Sequence, residues 1–399
     1  MPPSRRERAN LWTVSAAQFL TLAGMTAVLP LVPLYLRQLG VTDPDEVKRW
    51  AGLLGSAPFM VAVVATPIWG SWADRFGYKP MVVRAVGGIA VATVGMGLAS
   101  SPFELLLWRC LQGAVSGVFP AAVALISALT PAERLGESLA VLQSARSAGG
   151  LSGPLLGGVL NDLIGIRALF VAVGGLAALT TVACWWWIDE GPRPPAHAAG
   201  EPPVRLGLLL RQPRVLGMFA LLVLFQASGM AWWPTLALFV EHLGVSGHAI
   251  GTVTGLLVFT GGLPAMLMAP TMARLARRVG VMALLAGSLL GSGLANVGLG
   301  WAASLPTAFV MRVLAGVSLA GFVPLAFEWL NGQVPSAARG RMAGAASTAM
   351  LLGNVLGPPL GAWVGVRLGI GATFWVPGVA CALAGAGLLL TQISLRQPR

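Results

Sequence analysis

The sequence predicts an all-α integral membrane protein with twelve transmembrane helices in two pseudo-symmetric six-helix bundles. Only 10% of its residues are charged and 56% are apolar, whereas soluble proteins carry roughly 25% charged residues. Apolar runs of about 20 residues recur, each long enough to cross ~30 Å of hydrocarbon. Each run must be helical because lipid cannot satisfy bare backbone groups. An internal repeat indicates that the two halves of the chain are related.

Twelve apolar runs meet the length requirement, and we number them as spans one to twelve. They cover 11–36, 50–69, 82–100, 103–127, 139–160, 168–188, 215–240, 250–272, 281–301, 304–328, 342–363 and 372–394. The predicted domains are an N-terminal bundle, a cytoplasmic linker rich in proline and a C-terminal bundle. Their bounds are 1–188, 189–214 and 215–399.

The repeat aligns Pro131–Gly158 on Pro335–Ala362 without a gap, with eight of 28 positions identical. Upstream of it, Arg109 and Gly113 match Arg312 and Gly316. A half-length repeat in an apolar chain is typical of secondary transporters, in which two bundles surround a midplane site. We therefore expect a transporter rather than an enzyme, and no nucleotide loop, metal cluster, cofactor motif or nucleophile constellation occurs in the sequence.

The net charge of +12 is a topology signal and does not indicate nucleic acid binding. With a cytoplasmic N-terminus, 18 Lys and Arg residues fall on the inner side and five on the outer side. This bias predicts cytoplasmic N- and C-termini. We expect the membrane to be a bacterial inner (plasma) membrane. Arg109, Arg146 and Arg312 remain within spans.

The segment GSWADRFGYKP (70–80) lies between spans two and three on the inner side. Gly70 would allow close helix approach and Gly77 a tight turn, while Asp74 is an acid beside Arg75 and Lys79. We expect this acid to bind the positive N-terminus of another helix, that of span eleven, and to form an inner gate there. The alternative is a plain turn that carries positive-inside charges.

At these residues the chain resembles the major facilitator superfamily. The 70–80 segment is similar to its loop two–three signature, and LLLWRCLQG (105–113) resembles its span-four motif. GGLSGPLLGG in span five looks like the motif of the drug:proton antiporter branch, carried here by Gly149, Gly153, Pro154, Gly157 and Gly158. Physically, the glycine ladder lets a neighbouring helix approach closely, and Pro154 removes a helical hydrogen bond. The resemblance implies an exporter whose spans one, four, seven and ten surround the cavity.

Those four spans, together with Arg146 in span five, supply the candidate substrate-binding residues. They are Gln18, Met25, Arg109, Gln112, Phe119, Arg146, Phe225, Gln226, Met230, Trp233, Arg312 and Phe327. Aromatic and Met side chains suit varied amphipathic compounds, and buried arginines favour neutral or anionic ones. An arginine at membrane depth is expensive, so Arg109 either binds cargo or pairs structurally with backbone carbonyls.

No acid lies at mid-membrane, and span one lacks the acid that many drug:proton antiporters carry. Proton coupling would rest on Glu328, Glu104 or Asp74, with Glu328 the leading candidate.

The predicted function is proton-coupled export of amphipathic drugs or toxic small molecules by alternating access. We expect a monomer in the lipid bilayer, with small-molecule substrate and protons as its partners and no nucleic acid. The alternatives are a transporter of one specific solute, such as a sugar or organic anion, and a membrane scaffold that transports nothing.

Overall fold

A computed structural model describes residues 5–190, 212–335 and 338–396 of the chain. These residues form α-helices, short 3-10 turns and connecting segments, with no β-strand among them, which confirms the all-helical expectation. Most of the predicted linker, residues 191–211, lies outside the described residues. The chain divides into two compact units.

The first unit comprises residues 1–198 and 246–255. Its helices are α1 (Arg5–Val28), α2 (Val32–Gln38), α3 (Pro44–Phe76), α4 (Tyr78–Leu98), α5 (Pro102–Ala114), α6 (Val118–Leu129), α7 (Ala132–Ile164) and α8 (Ile166–Trp187). Within it, α1 packs along α7 and α4 packs along α8. Its buried core joins apolar side chains of α1, α4, α6 and α7, including Val14, Val86, Leu125 and Leu142.

The second unit comprises residues 199–245 and 256–399. Its helices are α9 (Pro213–Ala231), α10 (Leu236–His242), α11 (Ile250–Val279, whose first residues belong to the first unit), α12 (Val281–Gly300), α13 (Leu305–Leu319), α14 (Phe322–Gly332), α15 (Arg339–Leu368) and α16 (Ala372–Arg396). Here α9 packs along α15 and α12 along α16. These are the same pairings, first span with fifth and third with sixth, that the first unit makes.

Eleven helical segments among the described residues are long and apolar enough to cross a membrane. The chain is therefore a multi-pass membrane protein. Predicted span five, which corresponds to α7, is not one of the eleven. Its 33 residues are long enough, but the glycines, serines and Arg146 along it lower its hydropathy.

Candidate functional site

Predicted spans one and seven are interrupted at matching positions. The first is divided into α1 and α2 by a 3-10 turn over Leu29–Leu31, and the seventh into α9 and α10 by a turn over Trp233–Thr235. Each turn carries a proline, Pro30 or Pro234, which has no N–H to donate. The helix therefore loses its regular hydrogen bonding at corresponding positions of the two repeats.

Predicted spans four and ten are interrupted as well. Gly117 stands between α5 and α6 with φ +113°, and Gly321 stands between α13 and α14 with φ +91°. Such backbone is unfavourable for a residue with a Cβ, so glycine is required at both breaks. Irregular backbone at membrane depth persists only where protein buries it or where it lines a water-filled cavity, and transporters commonly place substrate sites there.

In the first unit, two side chains occupy the backbone carbonyls exposed by the break after α5. The indole Nε1 of Trp69 donates to the carbonyl oxygen of Ala114 at 2.6 Å, and Arg84 Nη2 donates to that of Ser116 at 3.2 Å. The Ser116 carbonyl is free because its helical partner four residues on would be Pro120, which lacks an N–H. The Arg84 guanidinium also lies 3.5 Å from the Trp69 ring centroid. These two side chains stabilise the interruption.

Arg84 and Trp69 are residues that sequence reasoning missed. The charge count places Arg84 with the inner loop, but the structure places it inside α4, six residues after the helix start at Tyr78, or about 9 Å along the axis. Its proximity to the interruption follows from folding, because 32 residues separate it from Ser116. The sequence did contain a signal for Arg84, because it is a fourth arginine within an apolar run, that of span three.

Arg109 is buried and binds a backbone carbonyl, which is the structural alternative raised above. Its Nε donates to the carbonyl oxygen of Leu54 at 2.9 Å, and its Nη1 donates to Oε1 of Gln112 at 2.8 Å. The Leu54 carbonyl lacks a helical partner because position 58 is proline. A Cβ on Gly113 would overlap the backbone of Pro58, so α5 and α3 lie backbone to backbone.

The second unit repeats this arrangement with Arg312. Its Nε donates to the carbonyl oxygen of Leu257 at 3.1 Å, and its guanidinium lies 4.3 Å from the Trp232 ring centroid. A Cβ on Gly316 would overlap the backbone of Gly261. Both arginines therefore join two helices within their own unit, and their donors point at protein groups.

The remaining first-unit candidates lie on α1, α5, α6 and α7. Gln18 and Gln112 are buried, and the side-chain nitrogen of each has no hydrogen-bond partner among the described residues. Met25 is half-buried, and the Arg146 guanidinium lies 4.4 Å from the Phe119 ring centroid. The unpartnered amide nitrogens and this cation–aromatic pair are groups that could recognise a polar or anionic portion of a ligand.

The remaining second-unit candidates lie on α9, on the 3-10 turn that follows it and on α14. Gln226 Nε2 donates to Oδ1 of Asn354 on α15 at 2.6 Å, and Phe225 stacks on Phe322 with centroids 4.4 Å apart. Trp233 stacks on Trp232 at 5.5 Å. Met230 and Phe327 are half-buried. Sequence reasoning missed Asn354, although it stands where the first repeat has Gly150 and is the polar residue within the second glycine ladder.

A separate cavity of about 560 Å³ opens within the second unit, and it contains none of the predicted substrate-binding residues. Its lining is Arg214, Gly217, Met218, Leu221, Met282, Trp329, Ala384, Gly387, Leu388 and Thr391.

The glycine ladder of span five packs against α1. Cβ atoms on Gly149, Gly153 and Gly157 would overlap backbone atoms of Phe19, Ala23 and Ala27 respectively. The ladder of span eleven does the same to α9. There, Gly353, Gly357 and Gly361 face residues 223–231. Gly158 is different, because it contacts the backbone of Gly251 at the start of α11. Pro154 lies inside α7, which remains one continuous helix.

At the predicted gate motif, Gly77 forms the turn between α3 and α4 with φ +104°. Among the described residues no atom approaches a Cβ built on Gly70, so the expected close helix approach is absent there. Arg75 is exposed, and the Lys79 amine lies 5.8 Å from the Trp185 ring centroid. The side chain of Asp74 lies outside what the structure describes, and its contact with span eleven stays a prediction.

An acid does bind a helix N-terminus at this motif, and it is Glu190. Its carboxylate accepts from the backbone N–H of Tyr78 at 2.7 Å and of Lys79 at 3.2 Å, which caps α4. Neighbouring polar contacts join the start of α1 to the same region. Asn10 pairs with the backbone of Asp189, and Arg134 forms an ion pair with Glu7 at 3.0 Å.

Two of the proton-coupling candidates occupy different environments. Glu104 accepts from the backbone N–H and the hydroxyl of Ser100, both at 2.9 Å, just before the start of α5, which Ser101 caps. Glu328 is exposed on α14, one residue after half-buried Phe327. Among the described residues, Glu328 makes no such local hydrogen bond.

Comparison with known proteins places this geometry in a family. The family model described as Major Facilitator Superfamily matches residues 14–251 and 218–399. "Multidrug resistance protein MdtG" of Proteus mirabilis is 28% identical and covers 100% of this chain and 98% of its own. The protein of the same name from Enterobacter lignolyticus is 30% identical, over 98% and 93%.

Solved structures agree on the fold. A bacterial homologue of the human lysosomal transporter Spinster, inward-facing and occupied, superposes with a TM-score of 0.79 at 20% identity over 98% of both chains. The nucleoside transporter NupG gives 0.77 at 12% identity, over 96% of this chain and 98% of its own. The resemblance deduced from the 70–80, span-four and span-five motifs is confirmed, and the chain belongs to the major facilitator superfamily.

Proposed function

We propose that the protein is a secondary active transporter that exports amphipathic drugs or toxic small molecules by alternating access. The observation that carries the proposal is the interruption of spans one, four, seven and ten, near candidate residues that are mostly aromatic, Met and amide side chains. Interrupted spans mark substrate pathways in transporters, and such walls accept varied amphipathic compounds. The relatives named multidrug resistance proteins support drugs as the cargo class.

The proposed topology has twelve spans in two six-helix bundles, with α7 as span five. Both termini face the cytoplasm, and the protein works as a monomer in the inner membrane. The bias of Lys and Arg residues supports this orientation. Reaction of cysteines introduced at either end of α7 with an impermeant reagent, in intact and in opened cells, tests it. Labelling of both ends from the same side would remove α7 from the set of spans.

We assign different tasks to the three spanning arginines of the sequence prediction. Arg109 and Arg312 organise the walls of their units by holding backbone carbonyls, while Arg146 beside Phe119 faces cargo. Arg84, Arg109 and Arg146 put three guanidinium groups at membrane depth in the first unit, and this supports neutral or anionic cargo.

The test of the function is export of structurally unrelated dyes, some anionic and some cationic, from cells with and without the protein. We expect lower accumulation of several unrelated neutral or anionic dyes. Export of a single solute would favour the specific-solute alternative, and no solute flux in proteoliposomes would favour a scaffold.

Proton coupling is the second part of the proposal, with Glu328 as the proton carrier. Glu328→Gln should abolish export driven by a pH gradient in proteoliposomes while cargo binding persists, because the amide cannot release a proton. Glu133→Gln, an exposed acid in the first turn of α7, is the matched control and should export normally. Unchanged gradient-driven export by the Glu328 variant would remove it from the mechanism.

A further inference from the structure

The carboxylate of Asp162, two residues before the end of α7, binds the first turn of α11. Its Oδ1 accepts from the backbone N–H of Gly251 at 3.0 Å, and its Oδ2 accepts from the backbone N–H and the hydroxyl of Thr252 at 2.7 and 2.6 Å. The side chain of Asn161 adds a bond to Oδ1 at 3.1 Å. About ninety residues separate Asp162 from its partners, so this contact is tertiary and not a local helix cap.

The backbones of the two segments touch beneath this contact. A Cβ on Gly158 would overlap the backbone of Gly251, and a Cβ on Gly255 would overlap that of Pro154. No side chain separates the two helices over these residues, all of which belong to the first unit. In the repeat, the position of Asp162 is taken by Val366, so the architecture does not require a carboxylate there.

The chemistry of this contact depends on the charge of Asp162. The first N–H groups of a helix have no partner within the helix, and its N-terminus carries a partial positive charge. An ionised carboxylate offers only acceptors, whereas protonation turns one oxygen into a donor and removes the charge that strengthens the bonds from the Thr252 N–H and hydroxyl. Two other ionisable residues are near in sequence, exposed His248 before α11 and Arg167 at the start of α8. Within the described part of the chain, neither forms an ion pair with Asp162.

We infer that Asp162 is a proton-released clasp: its ionised carboxylate holds the first turn of α11 on α7, and protonation frees that turn. This inference rests on the proposed proton-coupled transport, and it adds an ionisable group at the end of α7, on the side that the proposed orientation places outside. Proton uptake there would accompany the change of access.

Hydrogen–deuterium exchange of the purified protein tests the clasp without any cargo. In the wild type, the amides of Gly251 and Thr252 should be protected at neutral pH and lose protection on acidification, after correction for the intrinsic pH dependence of exchange. In Asp162→Asn, exchange at these amides should be about tenfold faster at neutral pH and the additional pH dependence should vanish, because a carboxamide accepts weaker, uncharged bonds.

The matched control is Asp43→Asn. Asp43 also caps a helix N-terminus, through the amides of Asp45 and Glu46, but it does so within its own helix. Asparagine is an equally good local cap, so exchange at residues 251 and 252 should equal that of the wild type. Thr252→Val removes only the hydroxyl bond and should give intermediate protection, which keeps the test valid if the Asp162 variant folds poorly.

The clasp would be overturned if the protection of these amides in the wild type did not respond to pH. It would also be overturned if Gly251 and Thr252 exchanged in Asp162→Asn at the same rate as in the wild type. Gradient-driven export separates the two proposals. A pH-sensitive clasp in a protein that exports nothing would refute the proposed function alone, whereas proton-driven export with an unresponsive clasp would refute the clasp alone.

Discussion

The buried hydrogen bond from Arg109 to the Leu54 carbonyl provides a sharp test of how the first unit is held together. The carbonyl has no partner in its own helix because residue 58 is proline, and it accepts a hydrogen bond from the Arg109 Nε at 2.9 Å instead. Replacing Pro58 by alanine restores an N–H at the position that can pair with Leu54. The Arg109→Met substitution should therefore cost more stability with Pro58 than with alanine at that position.

The size of this coupling follows from the bond. A hydrogen bond with a charged donor contributes about 1.5–3 kcal/mol in soluble proteins, whereas side-chain bonds between membrane helices average ~0.6 and reach ~1.7 kcal/mol. We expect a coupling free energy of about 1 kcal/mol, so that Arg109→Met costs that much more stability with Pro58 than with alanine at position 58. It is measured as a double-mutant cycle on the free energy of unfolding, by denaturant titration in detergent micelles.

Pro67→Ala is the control for this cycle. Pro67 also lies inside α3, but the carbonyl that it leaves unpaired, at Val63, receives no bond from Arg109. Combined with Arg109→Met it should show no coupling. Independent sites are additive to within about 0.3 kcal/mol. A coupling free energy at position 58 below this value would refute the reasoning.

Two further predictions concern packing and capping. Gly361→Val should destabilise the protein by about 1–3 kcal/mol, because its Cβ would overlap the Ala231 carbonyl. In the control Gly344→Val, in the same helix, the new Cβ meets no described atom within 4 Å, so the loss of stability should be clearly smaller. The free energy of unfolding in detergent compares the two variants. Glu190→Gln should weaken the cap of α4 by about 1 kcal/mol, seen as faster amide exchange at Tyr78 and Lys79, and unchanged exchange there would contradict the capping role.

The all-helical class, most spans and the close packing of spans five and eleven against a neighbouring helix could be predicted from the chain because lipid imposes simple rules. A membrane demands about 20 apolar residues per helix, and glycines spaced four apart demand a helix neighbour. The ladders at Gly149–Gly157 and Gly353–Gly361 therefore indicated close helix packing, and the structure supplies α1 and α9 as the partners. Hydropathy alone was less decisive for α7, whose glycines and serines serve packing rather than contact with lipid.

By itself, the sequence determined that the chain is a duplicated, multi-pass helical protein of the major facilitator superfamily, because periodicity, charge bias and motifs are local properties. Only the tertiary structure decided which donor meets which freed carbonyl and which acid meets which helix end. Arg84 reaches Ser116, Glu190 reaches Tyr78, and Asp162 reaches Thr252 across 32, 112 and 90 residues. Such pairs depend on how helices pack side by side, and this packing cannot be predicted from the residues that neighbour a side chain in the sequence.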